Sequence, residues 1–501
     1  MSPVSNLPEL SYNQSHPEPA HSIIMTPMSE HSEYDFSKSV PATPVAWTPA
    51  TEYSEHDLFA KAQSRNSRHA AIVNRIDERG PEDAEPSYAL PPVDEGWRAW
   101  LFLFAATVIV LLVWGLPFSV GILALYWNDT LFKDQGGLAT LTLASTLQTG
   151  LLYICTAAAG FIMPALPRWQ RELQFFGLLS AVLSMIGSAF ATKPVHILLC
   201  FGCVYPFSGI TYMPCITLVF EWFHARRGLA TGILYAGTGL GGIIMPFLVS
   251  FLLDKVGYKA TMIGFGLGYS LVGSAAILAI RPRIPIAPKS NGQREKRGAN
   301  VNWAFLKSRG FIVGTTMVFL MSLGNFIPSL WLPSYANALN LTNPNGTIIL
   351  VILNASSIPG NALMGYLSDR IPLKIVMLFN LSIAALSCAI LWGFGTNGGM
   401  LVGFAIIFGA LGLSFATLWT GMISAIAKDD PVAPPLVLAI FTLVRGVGSL
   451  VCGPISQSLL TLTALNGKAS GAYGLHNYGI LIIYATLTIL ASAATGLMWK
   501  Y

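Results

Sequence analysis

The sequence has 501 residues, 53% of them hydrophobic and only 11% charged, with a formal net charge of +5. Soluble domains carry about a quarter charged residues, so this composition excludes an ordinary soluble globular protein and points to the membrane class. The positive excess sits mainly in short loops between apolar runs, a pattern that argues for membrane orientation and against nucleic-acid binding.

The first segment differs from the rest. Residues 1–95 are rich in Ser, Pro, His and Glu, lack an apolar period, and are expected to form a disordered cytoplasmic tail. No apolar h-region lies near Met1, so no cleavable signal peptide is expected. Ser2-Pro3, Thr26-Pro27, Thr43-Pro44 and Thr48-Pro49 read either as proline-directed phosphorylation sites or as common dipeptides of a solvated tail. Residues 56–78 read as a short helix.

From Trp97 onward, apolar runs recur at the length of about 20 residues that crosses a bilayer. Twelve are expected: 98–125, 138–164, 173–192, 195–222, 228–252, 259–280, 310–337, 346–367, 373–394, 400–426, 435–462 and 475–498. Open sheets cannot cross lipid and these runs are too long for barrel strands, so the spans are helices. The basic 281–309 loop divides them into two six-helix halves, 96–280 and 310–501. The fold class expected is therefore an all-α membrane protein with twelve transmembrane helices.

Loop charge orients the spans. With the N-terminus inside, fifteen Lys and Arg fall in inner loops, among them Arg168, Arg226, Arg281, Arg297, Arg370 and Lys428; five, from Lys133 to Lys468, fall outside. Both termini are expected to be cytoplasmic. Asn128, Asn340 and Asn345 head outward-facing N-glycosylation sequons.

The segment 220–246 fixes depth and packing. Arg226 and Arg227 mark a cytoplasmic turn, and Gly237, Gly239 and Gly241 leave grooves that admit a second helix. Gly237, Gly239 and Gly242 also satisfy G-x-G-x-x-G. That fingerprint requires a strand before it and a helix after it; both flanks here are membrane-length apolar sequence, so a dinucleotide site is rejected. The halves echo each other, since Gly446 and Gly448 precede Pro454 as Gly239 and Gly241 precede Pro246.

Candidate substrate contacts are few. Arg445 lies midway along the eleventh span. An arginine there costs about 2.5–3.5 kcal/mol on insertion scales, so it needs a polar cavity and a partner. Two readings stay open: an anchor for an anionic or polar substrate group, and a structural arginine bonded to carbonyls or a polar side chain. Asn354, Ser357 and Asn361 form a polar stripe on the eighth span, expected to line a cavity because unpaired amides in hydrocarbon are costly. Asn325 joins them from the seventh. Trp114, Tyr235 and Trp419 are candidate aromatic walls. Glu221 and Asp254 read as interfacial. The six cysteines all lie in apolar segments and read as small buried hydrophobes. No His, Cys, Asp or Glu grouping has metal or triad spacing, so no cofactor, metal or catalytic activity is expected.

The run Trp222-Phe223, Arg226-Arg227, Leu229-Ala230, Gly232, Gly237 and Gly241 is similar to the fifth-helix signature of the monocarboxylate-porter family within the major facilitator superfamily. Asp94, Gly96 and Trp97 resemble that family's entry to helix 1. Gly365, Leu367, Asp369 and Arg370 resemble the superfamily's G-x-L-x-D-R loop motif, whose charges tie helix ends; its first-half counterpart at Pro164–Arg168 lacks the aspartate. Leu332-Pro333-Ser334-Tyr335-Ala336, and Arg445, Gly446 and Gly448 with Gly453-Pro454-Ile455-Ser456, resemble a fungal branch. The resemblance covers residue 94 to the end. It implies two parallel repeats around a midplane site. Aligned to the animal-type carriers, the lysine, aspartate and arginine positions are Phe118, Ser357 and Asn361, so that proton-coupled mechanism does not carry over.

The function expected is secondary active transport of a small organic molecule by alternating access, with an organic anion as one substrate reading. The alternatives are a transporter-like nutrient sensor signalling through its tail and, third, a membrane enzyme. The partners are substrate and lipid bilayer, with no nucleic acid. A proton is a candidate coupling ion with no residue assigned. The plasma membrane is expected first, a vacuolar or other internal membrane second.

Overall fold

The computed structural model describes residues 91–133, 138–284, 303–428, 430, 432–475 and 477–500, all within one unit, Tyr88–Tyr501. The expected tail before residue 91, its phosphorylation dipeptides, the helix at 56–78, most of the central loop and His476 lie outside the described residues.

Among the described residues there is no strand, and ten helical stretches are long and apolar enough to cross a membrane. One of them, Arg227–Ala279, has 53 residues and breaks at Gly257, whose φ of 76° and ψ of 172° suit glycine alone. It is therefore two helices. A further helix, Gln170–Ser188, has a polar first turn, Gln170-Arg171-Glu172, and completes twelve.

We label them α1 (Trp97–Tyr126), α2 (Leu138–Ala165), α3 (Gln170–Ser188), α4 (Pro194–Trp222), α5 (227–256), α6 (258–279), α7 (Arg309–Ala338), α8 (Gly346–Arg370), α9 (Leu373–Trp392), α10 (Gly398–Ala427), α11 (Ala433–Leu460) and α12 (Tyr478–Leu497). Two expected bounds shift: 173–192 becomes Gln170–Ser188, and 228–252 runs on to the break at Gly257. Phe104, Leu271 and Phe247 are among the large apolar side chains left exposed, on a surface that lipid would cover.

Several helices are irregular, and the freed backbone groups find partners, as hydrocarbon demands. Pro117 in α1 cannot donate to the carbonyl of Val113, and the Tyr205 hydroxyl of α4 donates to that oxygen at 2.9 Å. The Tyr269 hydroxyl donates to Leu112 O at 2.9 Å. Between α3 and α4, Gln174 Nε2 donates to Thr211 O, and Thr211 Oγ1 donates back to Gln174 O. α4 contains a π turn at Leu198–Val204 and a 3₁₀ turn at Tyr205–Ser208, and α7 breaks at Phe326, just before Pro328.

The glycines of α5 serve two faces. A Cβ on Gly241 would lie 2.7 Å from Gly115 Cα, and one on Gly237 would lie 2.6 Å from Thr107 O, both in α1. Cβ atoms on Gly239 and Gly242 would meet Asn354 of α8 at 2.9 Å, and one on Gly232 would strike Asn361 O. α5 is thus pressed between α1 of its own half and α8 of the other. The second half repeats this arrangement. Gly446 of α11 faces Tyr153 of α2 at 2.8 Å, and Gly448 faces Ser322 of α7 at 2.5 Å. The alternation in Gly239-x-Gly241 and Gly446-x-Gly448 is one design used twice, and it makes two seams between the halves, α5–α8 and α2–α11.

Candidate functional site

At the level of Tyr153, the two halves meet in a cluster of rings around one cation. Trp114 of α1 lies 4.5 Å from Tyr153 and 5.8 Å from Tyr212 of α4, measured between ring centroids. The Tyr212 hydroxyl donates to the Tyr235 hydroxyl of α5 at 2.9 Å. From the other half, Phe326, Trp419 and Arg445 close the cluster. The Arg445 guanidinium carbon is 4.9 Å from the Phe326 ring and 5.6 Å from those of Tyr153 and Trp419. Each such contact is worth about 0.5–2 kcal/mol.

Arg445 is buried and bonded across the seam. Its Nε donates to the Tyr153 hydroxyl at 3.0 Å. With the Asn325 amide turned to satisfy its neighbours, Asn325 donates to Gly412 O at 3.0 Å and accepts from Arg445 Nη2 at 3.2 Å. Nη1 is buried without a partner, as are the indole N–H groups of Trp114 and Trp419. Both sequence readings of Arg445 are therefore represented: polar side chains hold it, and donor capacity remains.

The polar stripe of α8 is placed differently from the expectation. Ser357 Oγ donates to Asn354 O at 2.7 Å, and Asn361 Oδ1 accepts from Thr417 Oγ1 of α10 at 2.8 Å. All three residues are buried against the glycine face of α5. They form a helix–helix seam, where the expectation had a cavity wall. Phe118 is half-buried against the hydrophobic core. Tyr235 and Trp419 both belong to the ring cluster. Sequence reading missed Tyr153, Tyr212 and Phe326; Tyr153 packs directly on Gly446, a contact that only the pairing of α2 with α11 reveals.

At the end carrying the 224–227 turn the seams are unequal. Asp369, at the end of α8, accepts from Gly228 N at 2.7 Å and Leu229 N at 2.8 Å, capping the start of α5 across the seam. Arg227 Nη1 donates to Ser424 Oγ of α10 at 2.8 Å, and its Nε donates to Phe223 O. Superposing Gly239 on Gly446 brings Gly228 onto Pro435, which has no N–H to donate. The aspartate missing after α2 and the donor missing from α11 thus go together. That end of the α2–α11 seam carries a cavity of about 520 Å³ lined from both halves, by Pro164, Pro167, Met213, His224, Pro434 and Pro435 among others. Gly160 of α2 also lines it, and no residue of the ring cluster does.

Beside the cavity, three strands of chain are knotted. The Asp94 carboxylate accepts from the backbone N–H groups of His224, Ala225 and Arg226 at 2.9–3.0 Å. Burial pushes the Asp94 carboxyl up, but those three N–H groups and the nearby His224 bring it below its ordinary value. Glu221 accepts from Arg283 N, Trp222 Nε1 donates to Arg281 O, and Arg283 Nε donates to Pro91 O. Gly96 holds a φ of 84° in the entry to α1, and Trp97 is exposed. Arg226 contributes its N–H to the Asp94 nest, and the Arg370 guanidinium stacks on Tyr366.

The remaining expected sites are placed as follows. Asn345 caps α8, accepting from Ile348 N at 2.9 Å; Asn340 has a φ of 54°; Asn128 Nδ2 donates to Asp129. Pro454 lies within α11. All six cysteines are free; Cys215, Cys388 and Cys452 are buried as expected, whereas Cys155 and Cys200 are only half-buried and Cys203 is exposed. His196, expected in a loop, sits in the first turn of α4. No group of His, Cys, Asp and Glu able to hold a metal occurs among the described residues.

Twelve helices in two repeated halves, meeting at a buried polar cluster and with a cavity at one end of a seam between them, have the architecture of a membrane transporter. Residues 206–453 match the family model of the Major Facilitator Superfamily. The chain is 25% identical to the MFS-type transporter pynF of Aspergillus niger over 427 residues, covering 83% of this chain and 93% of the relative. It is 24% identical to the aspyridones efflux protein apdF of Emericella nidulans over 388 residues, covering 76% and 75%. The fold is similar to that of the proton:xylose symporter XylE bound to 6-bromo-6-deoxy-D-glucose, with a TM-score of 0.60 and 13% identity, covering 78% of this chain and 95% of that one. In fold, in the family model matched by just under half of the chain, and in these relatives, the chain is similar to transporters of the major facilitator superfamily. These likenesses support a multi-pass membrane transporter.

Proposed function

We propose that the chain exports a small organic metabolite, admitted through the cavity at the α2–α11 seam and carried past Arg445 to the opposite face. The observation that carries this reading is the 520 Å³ cavity lined from both halves at one end of the α2–α11 seam, the seam that Arg445 and Tyr153 also bridge. Its rim holds Arg227, Arg283 and Lys428, at the end where the Lys and Arg of the loops concentrate. By the positive-inside rule that end is cytoplasmic, as are both termini. Export also agrees with the similarity to apdF, an efflux protein. On this reading the working halves are 96–280 and 310–501, joined by 281–309 and preceded by a cytoplasmic tail at 1–95. Within the superfamily, the Trp222–Gly241 and Arg445–Ser456 motifs favour the fungal monocarboxylate-porter-like branch. The plasma membrane is the natural site for an exporter.

The test is a metabolite profile of cells and medium with and without the protein. At least one small organic compound should shift from medium to cells, by about tenfold or more, when the protein is removed. Unchanged profiles, or a shift in the opposite direction, would overturn export.

A further inference from the structure

The α2–α11 seam changes character along its length. The two helices run antiparallel, so that Thr146 meets Gly453, Gly150 meets Leu450, Tyr153 meets Gly446 and Gly160 meets Ala439. Beyond Gly160 they part around the cavity, which Gly160, Pro164, Pro434 and Pro435 help to line. At the other end they touch. A Cβ on Gly150 would strike the Leu450 side chain, and one on Gly453 would lie 3.7 Å from Thr146 Cγ2. Tyr153 and Arg445 stand between the open end and the closed one.

The bond between them is anchored separately on each side. Tyr153 is held in the first half, its ring 4.5 Å from that of Trp114. Arg445 is held in the second half by the Asn325 amide and the Phe326 and Trp419 rings. When the halves separate at this level, the hydrogen bond that breaks is the one from Arg445 Nε to the Tyr153 hydroxyl. The closed seam offers no spare acceptor, since Arg445 is 7% exposed and its Nη1 already lacks a partner. An orphaned charged donor disfavours the state that buries it. Once the seam parts, water supplies the acceptor.

Resting on the reading of the chain as an alternating-access exporter, we propose that Tyr153 is a positioning residue for transport. Its hydroxyl, acting through Arg445, latches the far end of the α2–α11 seam while the cavity end stands open. A compound in the cavity reaches the opposite face only when the latch releases. The latch therefore sets how the protein divides its time between a state open at the 224–227 end and a state open at the other. Asp369 and Arg227 tie the other seam, so they do not hold this one shut.

Tyr153→Phe is the test, because it keeps the ring against Trp114 and Gly446 and removes only the acceptor. Two cysteine reporters are introduced singly into the purified full-length protein, Leu450→Cys at the far end of the seam and Thr217→Cys in the cavity wall. Each is reacted with a water-soluble maleimide, and the labelling of the parent protein is subtracted. Adding Tyr153→Phe should speed labelling at Leu450→Cys by about threefold or more and slow it at Thr217→Cys, as a shift of population from one state to the other requires. In an Arg445→Met background, Tyr153→Phe should change neither rate, because the hydroxyl acts through the guanidinium. Unchanged labelling at Leu450→Cys in a folded Tyr153→Phe protein, faster labelling at both reporters, or an undiminished effect of Tyr153→Phe without the guanidinium would each overturn the latch. No substrate enters these measurements, so such a result would leave export standing, and an unchanged metabolite profile would overturn export whatever the reporters show.

Discussion

Arg445 shows how a membrane protein keeps a charge where lipid would reject it. Its cost is offset by two hydrogen bonds and three ring faces, supplied by helices of both halves. Removing the fork should therefore destabilise the protein as well as impair binding. Arg445→Ala loses charge-assisted bonds worth about 1.5–3 kcal/mol each before relaxation and should lower the melting temperature; Arg445→Lys should keep most of the stability and lose most of the transport. If Arg445→Lys transports normally at normal abundance, the planar fork is irrelevant to substrate. Asp94 acts by a different route, as an anion in a nest of three N–H groups. Its carboxyl is held below its ordinary value. A depressed folded value means that its contribution is present above the unfolded carboxylate range, about pH 3.9, and is lost as pH falls through the folded value. Acid titration of stability should therefore be shallower in Asp94→Asn than in wild type below about pH 4. Identical acid profiles would show that the nest does not stabilise the 224–226 turn.

Among the elements, α5 and α11 carry the architecture. Their glycines alternate between a helix of the same half and a helix of the other, so bulk on either face has a distinct consequence. Gly241→Leu should force α1 away, costing well over the 1–3 kcal/mol typical of overpacking, because Gly115 Cα offers no room. Gly264→Leu in α6, where nothing lies within 4 Å of a Cβ, should be tolerated. Equal abundance and transport in both variants would mean that the α5 glycines are not packing residues. The helices themselves were legible because span length and apolarity are properties of single segments. The glycine motif was legible for the same reason. The role of the α8 stripe was not: Asn354, Ser357 and Asn361 had helical spacing, but whether such a face meets a cavity or a neighbouring helix depends on α5, over a hundred residues earlier. Tyr153 was invisible as a site residue because its meaning comes from Arg445 across the α2–α11 seam. Pairings between segments distant in sequence determine the site, and a single sequence read in order does not contain them.

At the scale of the whole molecule, near-symmetric halves are joined asymmetrically. The α5–α8 seam is laced at one end by Asp369 and Arg227, whereas the matching end of α2–α11 has Pro435 in place of a donor and holds the cavity. Rocking of the halves would hinge about the laced seam and open at the other. Net flux is the direct test of this account, because a sensor built on the same fold would bind its ligand without moving it. The compound identified by metabolite profiling would be offered to sealed vesicles carrying the purified protein inserted with the 224–227 turn outward. The account predicts accumulation inside the vesicles, absent with Arg445→Ala at equal protein density. Binding without accumulation, or accumulation undiminished in Arg445→Ala, would contradict it.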